Sequence, residues 1–177
     1  MAIVKKEAYY NSSTGVNKIR ALIWLDDEVE HVGVFQIAHG VSEHIERYDH
    51  FARFLAERGY IVCGNDHIGH GKSVNSPEDL GFTAEEDGFR RFVDDMHILY
   101  NIMHKRYPEL KYYLFGHSMG GFTVLNAVAD GLKVRGVIVM APCNLGYTYL
   151  YNQEEFLDLM ECKSNGYFNL PSDDYME

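Results

Sequence analysis

The sequence predicts an α/β fold in which a mostly parallel sheet carries helices on both faces. Short runs of apolar, β-branched and aromatic residues alternate with longer segments of helical periodicity, and this order is typical of strands joined by crossover helices. Most of the runs are apolar throughout, as strands buried on both faces require. The hydrophobic share of 46% and the charged share of 24% are those of an ordinary globular domain.

Six strands are predicted in chain order. The first two, residues 3–10 and 18–25, are joined by a segment rich in Asn, Ser and Gly and should form a hairpin. The other four are short and apolar, and we expect them to be buried. They comprise residues 32–38, 60–64, 111–115 and 134–140.

Three helices are predicted between these strands. Apolar side chains recur at three- and four-residue spacing, which gives each helix one face for the core. A glycine follows the first and third helices, and a proline stops the second, which is the longest. The helices span residues 43–58, 85–107 and 122–129.

One serine lies on a sharp turn between a predicted strand and a predicted helix. The turn has the sequence Gly-His-Ser-Met-Gly-Gly at residues 116–121, with Ser118 at its centre. Glycines on both sides let the chain bend tightly and leave the serine oxygen exposed, which is typical of a nucleophile elbow. A glycine-rich loop with an incidental serine is the alternative, but the flanking strand and helix favour the elbow. We therefore predict that Ser118 is a catalytic nucleophile.

A second motif, a His-Gly pair at residues 39–40, follows the predicted strand at 32–38. In folds with an elbow, the loop at this place supplies a backbone N–H group for the oxyanion that forms on the substrate. The alternative is a strand-ending turn with a hydrogen-bonded histidine. We predict an oxyanion hole made by the N–H groups of Val41 and Met119, the second of which directly follows the serine.

Three motifs stand in order along the chain: His-Gly-Val-Ser-Glu-His at 39–44, Asn-Asp-His-Ile-Gly-His-Gly-Lys-Ser at 65–73, and the turn at 116–121. Together they resemble the motifs of the monoacylglycerol lipase and lysophospholipase group of α/β-hydrolases. The resemblance covers about residues 1–145. It implies an α/β-hydrolase-type fold and hydrolysis of a carboxylic ester of a monoacylglycerol or lysophospholipid-like substrate, with Ser118 as nucleophile.

The sequence departs from this group in one respect. In the fold, the catalytic acid and then the catalytic histidine follow the nucleophile along the chain. No histidine follows Ser118, and the last one is its neighbour His117. We therefore expect the N-terminal part of a hydrolase, truncated after about the sixth strand, without the Asp and His of the triad.

Residues 1–145 are predicted to be the N-terminal part of the catalytic domain. Residues 146–177, which are aromatic and acidic, form either the start of a cap over the site or a disordered tail. Two functions stay open: a serine ester hydrolase completed by a further C-terminal part, or a catalytically inactive fragment that binds acyl ligands or a protein partner. Strand 134–140 would be an apolar sheet edge in this chain, so we expect self-association through it.

Composition excludes several other partners. A net charge of −10 argues against nucleic acid, which requires a basic face. No apolar stretch approaches the ~18 residues of a membrane span, so we expect at most peripheral membrane contact. Three cysteines, an odd number, and the lack of a secretory signal predict a reduced, cytoplasmic chain, with Cys63 as a core residue.

Two local patterns favour other chemistry only weakly. Residues 71–73, Gly-Lys-Ser, match the end of a phosphate-binding loop, but Asp66 occupies the place of its first glycine and Pro77 interrupts the helix that should follow. Asp66, His67 and His70 suggest a metal site, but they lie in a turn, away from any metal-binding helix motif. The family resemblance implies a structural loop beneath the active site. We predict no cofactor and no metal.

Overall fold

The computed structural model describes residues 3–141, in which six strands form one sheet and three α-helices connect them. The strands are β1 (Val4–Asn11), β2 (Lys18–Leu25), β3 (Gly33–Ala38), β4 (Tyr60–Asn65), β5 (Lys111–His117) and β6 (Gly136–Met140). The helices are α1 (Asp49–Ala56), α2 (Gly88–Arg106) and α3 (Met119–Ala129). None of the helices found in this part of the chain is long and apolar enough to cross a membrane.

The strand order across the sheet is β1-β2-β4-β3-β5-β6. β1 pairs with β2, and β2 with β4, in antiparallel orientation, whereas the pairs β4/β3, β3/β5 and β5/β6 are parallel. The predicted mostly parallel sheet is confirmed, and among the described strands only β2 runs in the opposite direction. Because β3 and β5 are adjacent and parallel, the loops that follow them meet at the carboxyl ends of the strands, where α/β folds bind their ligands.

Helices cover both faces of the sheet, as predicted. On one face, α2 and α3 pack against side chains that include Val34, Ile61 and Leu114. On the other face, α1 packs against Phe35 and Val62. Consecutive strand residues such as Val34 and Phe35 point to opposite faces, so each strand contributes to both halves of the core.

The structure corrects the helix predicted at residues 43–58. The segment forms a 3₁₀ turn at Ile45–Tyr48, which α1 follows. A continuous helix cannot begin at residue 43, because Ser42 has a left-handed φ of 60° and His44 has an extended φ of −148°. The loop between β3 and α1 is therefore longer than predicted, and it forms part of the candidate site.

The other two helices differ from the prediction at their first turns. α2 starts at Gly88, three residues later than predicted, because Asp87 has a left-handed φ of 54°. α3 starts at Met119, three residues earlier than predicted, because the chain enters the helix directly from Ser118. The strand boundaries differ from the prediction by at most two residues, and Cys63 is buried in the core as expected.

Among the described strands, β6 lies at an edge of the sheet with β5 as its neighbour. Val137 and Val139 pack toward the helices α2 and α3. Ile138 and Met140 point to the other face and are 53% and 48% exposed. The predicted domain boundary and the alternatives for residues 146–177 fall outside the described residues.

Candidate active site

Ser118 lies at the junction of β5 and α3 with a φ of 51° and a ψ of −116°. Such a backbone conformation is unfavourable for a residue with a side chain, costs about 1–3 kcal/mol, and persists only where the surroundings hold it. The Ser118 N–H donates to the Met140 carbonyl at 2.9 Å, and the Ser118 carbonyl accepts from the Gly121 N–H at 2.9 Å. The chain therefore turns sharply from strand to helix at this serine.

Two glycines allow the turn to lie close against the sheet. A Cβ atom at Gly116 would lie 2.6 Å from the Gly120 carbonyl carbon. A Cβ atom at Gly120 would lie 2.6 Å from the His39 carbonyl oxygen. Both distances are shorter than real side chains show, so only glycine fits at either place. The first turn of α3 packs directly against the ends of β3 and β5, beside the His-Gly pair.

The loop after β3 reaches the turn at Gly40. A Cβ atom there would lie 3.3 Å from the Cβ of Ser118 and 3.2 Å from Nδ1 of His117. Val41 directly follows this glycine, and Met119 opens α3, whose positive dipole end faces the same place. The N–H groups of Val41 and Met119 donate to no acceptor among the described residues. The structure thus brings the three predicted site residues together.

Buried histidines support this loop from the protein interior. His39 is fully buried, and its Nε2 accepts the N–H of His67 at 2.9 Å. Its Nδ1 therefore carries the proton, which it donates to the Gly40 carbonyl at 2.7 Å. Burial lowers the pKa of His39 well below the ordinary histidine value, and the neighbouring His67 and His70 lower it further. A neutral imidazole fixes the direction of the Gly40 carbonyl.

The segment 65–73 braces the loop from the other side. Its Asp66 side chain is fully buried. The carboxylate accepts the N–H groups of Ile45 at 2.8 Å and Lys72 at 2.9 Å, and it pairs with the Arg20 guanidinium at 3.3 Å. These partners occupy both carboxylate oxygens, so the group connects the end of β4 to the 3₁₀ turn instead of facing a ligand.

Glu43 is a residue of this site for which the sequence predicted no role. Its carboxylate lies between Gly40 and His117 and forms a hydrogen bond with each. The available signal was its place three residues after Gly40, a spacing at which a glutamate side chain reaches back to a backbone N–H, as in a capping box. The partner on β5 could not be found in this way.

No base lies beside Ser118 in the part of the chain that the structure describes. Its Oγ forms no hydrogen bond there, and the imidazole Nδ1 of His117 is directed to Glu43 at 3.0 Å. The described site consists of a serine hydroxyl and two N–H groups without acceptors. It can supply an attacking oxygen and donors for a negative charge, but not the group that takes the serine proton.

Comparison with known proteins identifies the family. The profile of the serine aminopeptidase S33 family matches residues 29–161. The monoglyceride lipase of Rattus norvegicus is 36% identical over 107 residues, which are 60% of this chain and 33% of that protein. The monoacylglycerol lipase of Mycolicibacterium smegmatis is 35% identical over 113 residues, which are 63% of this chain and 38% of that protein.

A solved structure supports the same assignment. The thermostable carboxyl esterase from Bacillus coagulans superposes with a TM-score of 0.73 at 26% identity, over 93% of this chain and 56% of that chain. The chain spans about a third of the length of the curated relatives that it matches. The predicted α/β-hydrolase-type fold is confirmed. The chain belongs to the serine aminopeptidase S33 family of α/β-hydrolases and is monoacylglycerol lipase-like within it.

Proposed function

We propose that this chain carries the nucleophile and the oxyanion hole of a carboxylic ester hydrolase. Ser118 is the nucleophile, and the N–H groups of Val41 and Met119 form the hole. One observation supports this most strongly: a serine held at a positive φ between strand and helix, beside two N–H groups that have no acceptor among the described residues. Acyl transfer needs such an attacking oxygen and such donors for the charge that develops.

The reaction would proceed through an acyl-enzyme. The Ser118 Oγ attacks the ester carbonyl carbon, and the carbonyl oxygen becomes an oxyanion that accepts hydrogen bonds from the N–H groups of Val41 and Met119. The positive end of α3 stabilises the same charge. On attack, the Ser118 hydroxyl gives its proton to a base, the C–O bond to the alcohol breaks, and the alcohol leaves with that proton. Water then hydrolyses the acyl-serine, which releases the carboxylic acid and restores the serine hydroxyl.

The substrate we infer is a monoacylglycerol or a lysophospholipid-like ester, a small acyl compound that needs no cofactor. The sequence identities of 36% and 35% to a monoglyceride lipase and a monoacylglycerol lipase support this substrate class. The net charge of −10 supports a partner other than nucleic acid. We further propose a cytoplasmic location with at most peripheral membrane contact. The free thiol of Cys63 agrees with a reducing compartment.

We infer that the acceptor for the serine proton lies outside these 177 residues. The fold places its catalytic histidine after the nucleophile in the chain, and no histidine follows Ser118 in the sequence. We infer that a further polypeptide segment supplies the Asp and the His. The same absence favours a second candidate function, a catalytically inactive fragment that binds acyl ligands or a protein partner.

A fluorophosphonate probe tests the assignment of Ser118, because it reacts covalently with a serine nucleophile and places its oxygen in the oxyanion hole. We expect slow but specific labelling of the 177-residue chain. The hole and binding alone leave about 10³–10⁴-fold acceleration over water when a triad member is missing. Intact-mass spectrometry over hours, followed by peptide mapping, measures both the rate and the site.

Three variants make this test specific. Ser118→Ala should abolish labelling, whereas Ser76→Ala, at the serine that precedes the 3₁₀ turn Pro77–Asp79, should leave it unchanged. Met119→Pro should also abolish it, because proline has no N–H and disfavours the ψ of −116° at the preceding serine. Labelling that survives in Ser118→Ala would overturn the proposed nucleophile.

A further inference from the structure

One oxygen of the Glu43 carboxylate contacts both chain segments that carry the proposed oxyanion hole. Its Oε1 accepts hydrogen bonds from the Gly40 N–H, from the Tyr48 hydroxyl at 2.9 Å and from His117 Nδ1 at 3.0 Å. Gly40 belongs to the loop after β3, and His117 is the last residue of β5. A single group therefore joins two elements that are far apart in the sequence.

Two of these partners, Gly40 and His117, are each the neighbour of a residue of the proposed site. Gly40 precedes Val41, and because its own N–H is directed to Glu43, the chain turns and the next N–H is left without an acceptor in the described structure. His117 precedes Ser118. A Cβ atom at Gly40 would lie 2.8 Å from Glu43 Oε1 and 3.3 Å from the Ser118 Cβ, so the three groups meet without space between them.

The number of donors at Oε1 favours an ionised carboxylate. An anionic carboxylate oxygen forms strong, charge-assisted hydrogen bonds with several donors at once. The neutral oxygen of a glutamine amide has only two lone pairs and forms weaker bonds. Burial raises the pKa of Tyr48 far above its ordinary value, and the charge of Glu43 raises it further, so this hydroxyl remains a donor. Arg47 lies 3.9 Å from the other carboxylate oxygen, beyond hydrogen-bond distance, and contributes little.

The same contact selects the tautomer of a neutral His117. An ionised carboxylate can only accept a hydrogen bond, so Nδ1 of a neutral His117 carries the proton and Nε2 does not. This tautomer gives a spectroscopic signature of the contact, because the two ring nitrogens have different ¹⁵N shifts. The signature is independent of any reaction at the serine.

We propose that Glu43 is a positioning residue that holds the N–H groups of Val41 and Met119 at the separation an oxyanion requires. It acts through Gly40 on one side and through His117 on the other, and it touches neither the ester nor the serine oxygen. This inference rests on the proposed function of Ser118. It adds a residue whose removal should slow the reaction while the nucleophile stays in place.

Glu43→Gln tests the proposal in the 177-residue chain. Loss of one oxyanion donor typically costs about 10²–10³ in rate. Because this variant displaces a donor without deleting it, we expect the fluorophosphonate to label Ser118 about 10-fold or more slowly. In ¹⁵N-labelled protein, the preference of His117 for the Nδ1–H tautomer should also be lost. Both measurements are made at a temperature where near-ultraviolet circular dichroism shows both proteins folded.

Two further variants separate positioning from loss of charge. Glu46→Gln removes a carboxylate of the neighbouring 3₁₀ turn. That carboxylate bonds Lys5 and Arg20 but neither the loop nor β5, so the labelling rate should stay within about twofold of wild type. Tyr48→Phe keeps the carboxylate but removes one of its donors. It should slow labelling about two- to fivefold, less than Glu43→Gln.

The outcomes distinguish the two proposals. If wild type is not labelled at Ser118, the proposed function fails. If wild type is labelled and Glu43→Gln reacts at the same rate with an unchanged His117 tautomer, the positioning role is overturned. Should Glu43→Gln not fold, Tyr48→Phe decides alone, and a wild-type rate in that variant overturns the role.

Discussion

The turn at Ser118 and the edge strand β6 are neighbours in the sheet but differ in packing. At the turn, a Cβ atom on Gly120 would lie 2.6 Å from the His39 carbonyl oxygen. On β6, a Cβ atom at Gly136 would lie 3.4 Å from its nearest atom, in the Tyr113 ring, which is an ordinary contact. Ile138 on the same strand is 53% exposed. At the turn, backbone atoms pack directly on backbone atoms, whereas β6 has space for an added methyl group.

The difference shows where the fold supports a strained residue. Ser118 would relax to a more favourable backbone conformation if its surroundings could move. Close contacts of Gly116 and Gly120 with backbone atoms, and the buried His39 beneath the loop, prevent this movement. β6 contributes the Met140 carbonyl that accepts the Ser118 N–H. Rigidity is concentrated at the ends of β3 and β5, which are the elements that carry the proposed oxyanion hole.

The largest expected effect is that of a methyl group at the turn. Gly120→Ala should lower the free energy of unfolding by about 3 kcal/mol or more, because the methyl overlaps the β3 backbone and not the end of a flexible side chain. Labelling of Ser118 should be lost as well. Urea unfolding followed by circular dichroism measures the first effect, and the fluorophosphonate assay measures the second.

Gly136→Ala is the matched substitution on the edge strand. The methyl meets ordinary contacts, and alanine also reduces the entropy of the unfolded chain, so we expect a change within about 1 kcal/mol of either sign. Similar losses of stability for the two variants would show that the turn is no more tightly packed than the edge, and the comparison would fail.

Most of the fold follows from local patterns, and the errors have a common cause. The hairpin, the four apolar strands and the long helix α2 follow from residue type and periodicity, which act over a few neighbouring residues. The starts of α1 and α2 were wrong because Ser42 and Asp87 adopt left-handed conformations. Aspartate adopts this conformation more often than most residues, but most aspartates and serines do not adopt it, so residue type alone did not indicate these breaks.

The candidate site also has one part that local sequence motifs predict and another that only the folded structure brings together. Ser118, Val41 and Met119 could be predicted because the two glycine motifs that contain or adjoin them are contiguous in the sequence. The contact between Glu43 and His117 joins residues 74 positions apart. One sequence carries no information about such a pair until the strand order is known. The role proposed for Glu43 therefore depends on the structure.

The packed region should also make the chain sensitive to acid. An unfolded histidine, with a pKa near 6.5, binds a proton below that pH. Burial keeps the folded-state pKa of His67 at about 3 and that of His39 well below the ordinary value. The unfolded state thus binds more protons below about pH 6.5, and stability falls as pH falls. His67 alone should account for about 2 kcal/mol between pH 7 and pH 5.

Histidine variants isolate this contribution. His39→Gln keeps one donor and one acceptor, and it should flatten the dependence of unfolding free energy on pH by up to about 1.4 kcal/mol per pH unit. His50→Gln, at an exposed position of α1, should leave the dependence unchanged. Burial raises the pKa of Asp95, which opposes the effect of the histidines on the pH dependence of stability. Asp95 is present in both variants, so its effect cancels when their pH slopes are subtracted. Equal slopes for the two variants would contradict the role of His39.

The smallest effect on stability is expected at the edge, where the effect on association is largest. β6 has a strand neighbour on one side only among the described strands, and Ile138 and Met140 are exposed there. An apolar edge without charges pairs readily with a second chain. Size-exclusion chromatography with light scattering at micromolar concentration should therefore detect dimers or larger species. Ile138→Lys should restore a monomer while the free energy of unfolding changes by less than about 1 kcal/mol.

Leu125→Lys is the control for this last prediction, because Leu125 is similarly exposed but lies on α3. A lysine there adds the same charge without protecting the strand edge, so the association should persist. Loss of association in both variants would indicate a general effect of charge and not pairing through β6. A wild-type chain that stays monomeric at every concentration would mean that the edge of β6 is already covered in solution. The contrast between an open edge at β6 and a tightly packed turn at Ser118 would then fail.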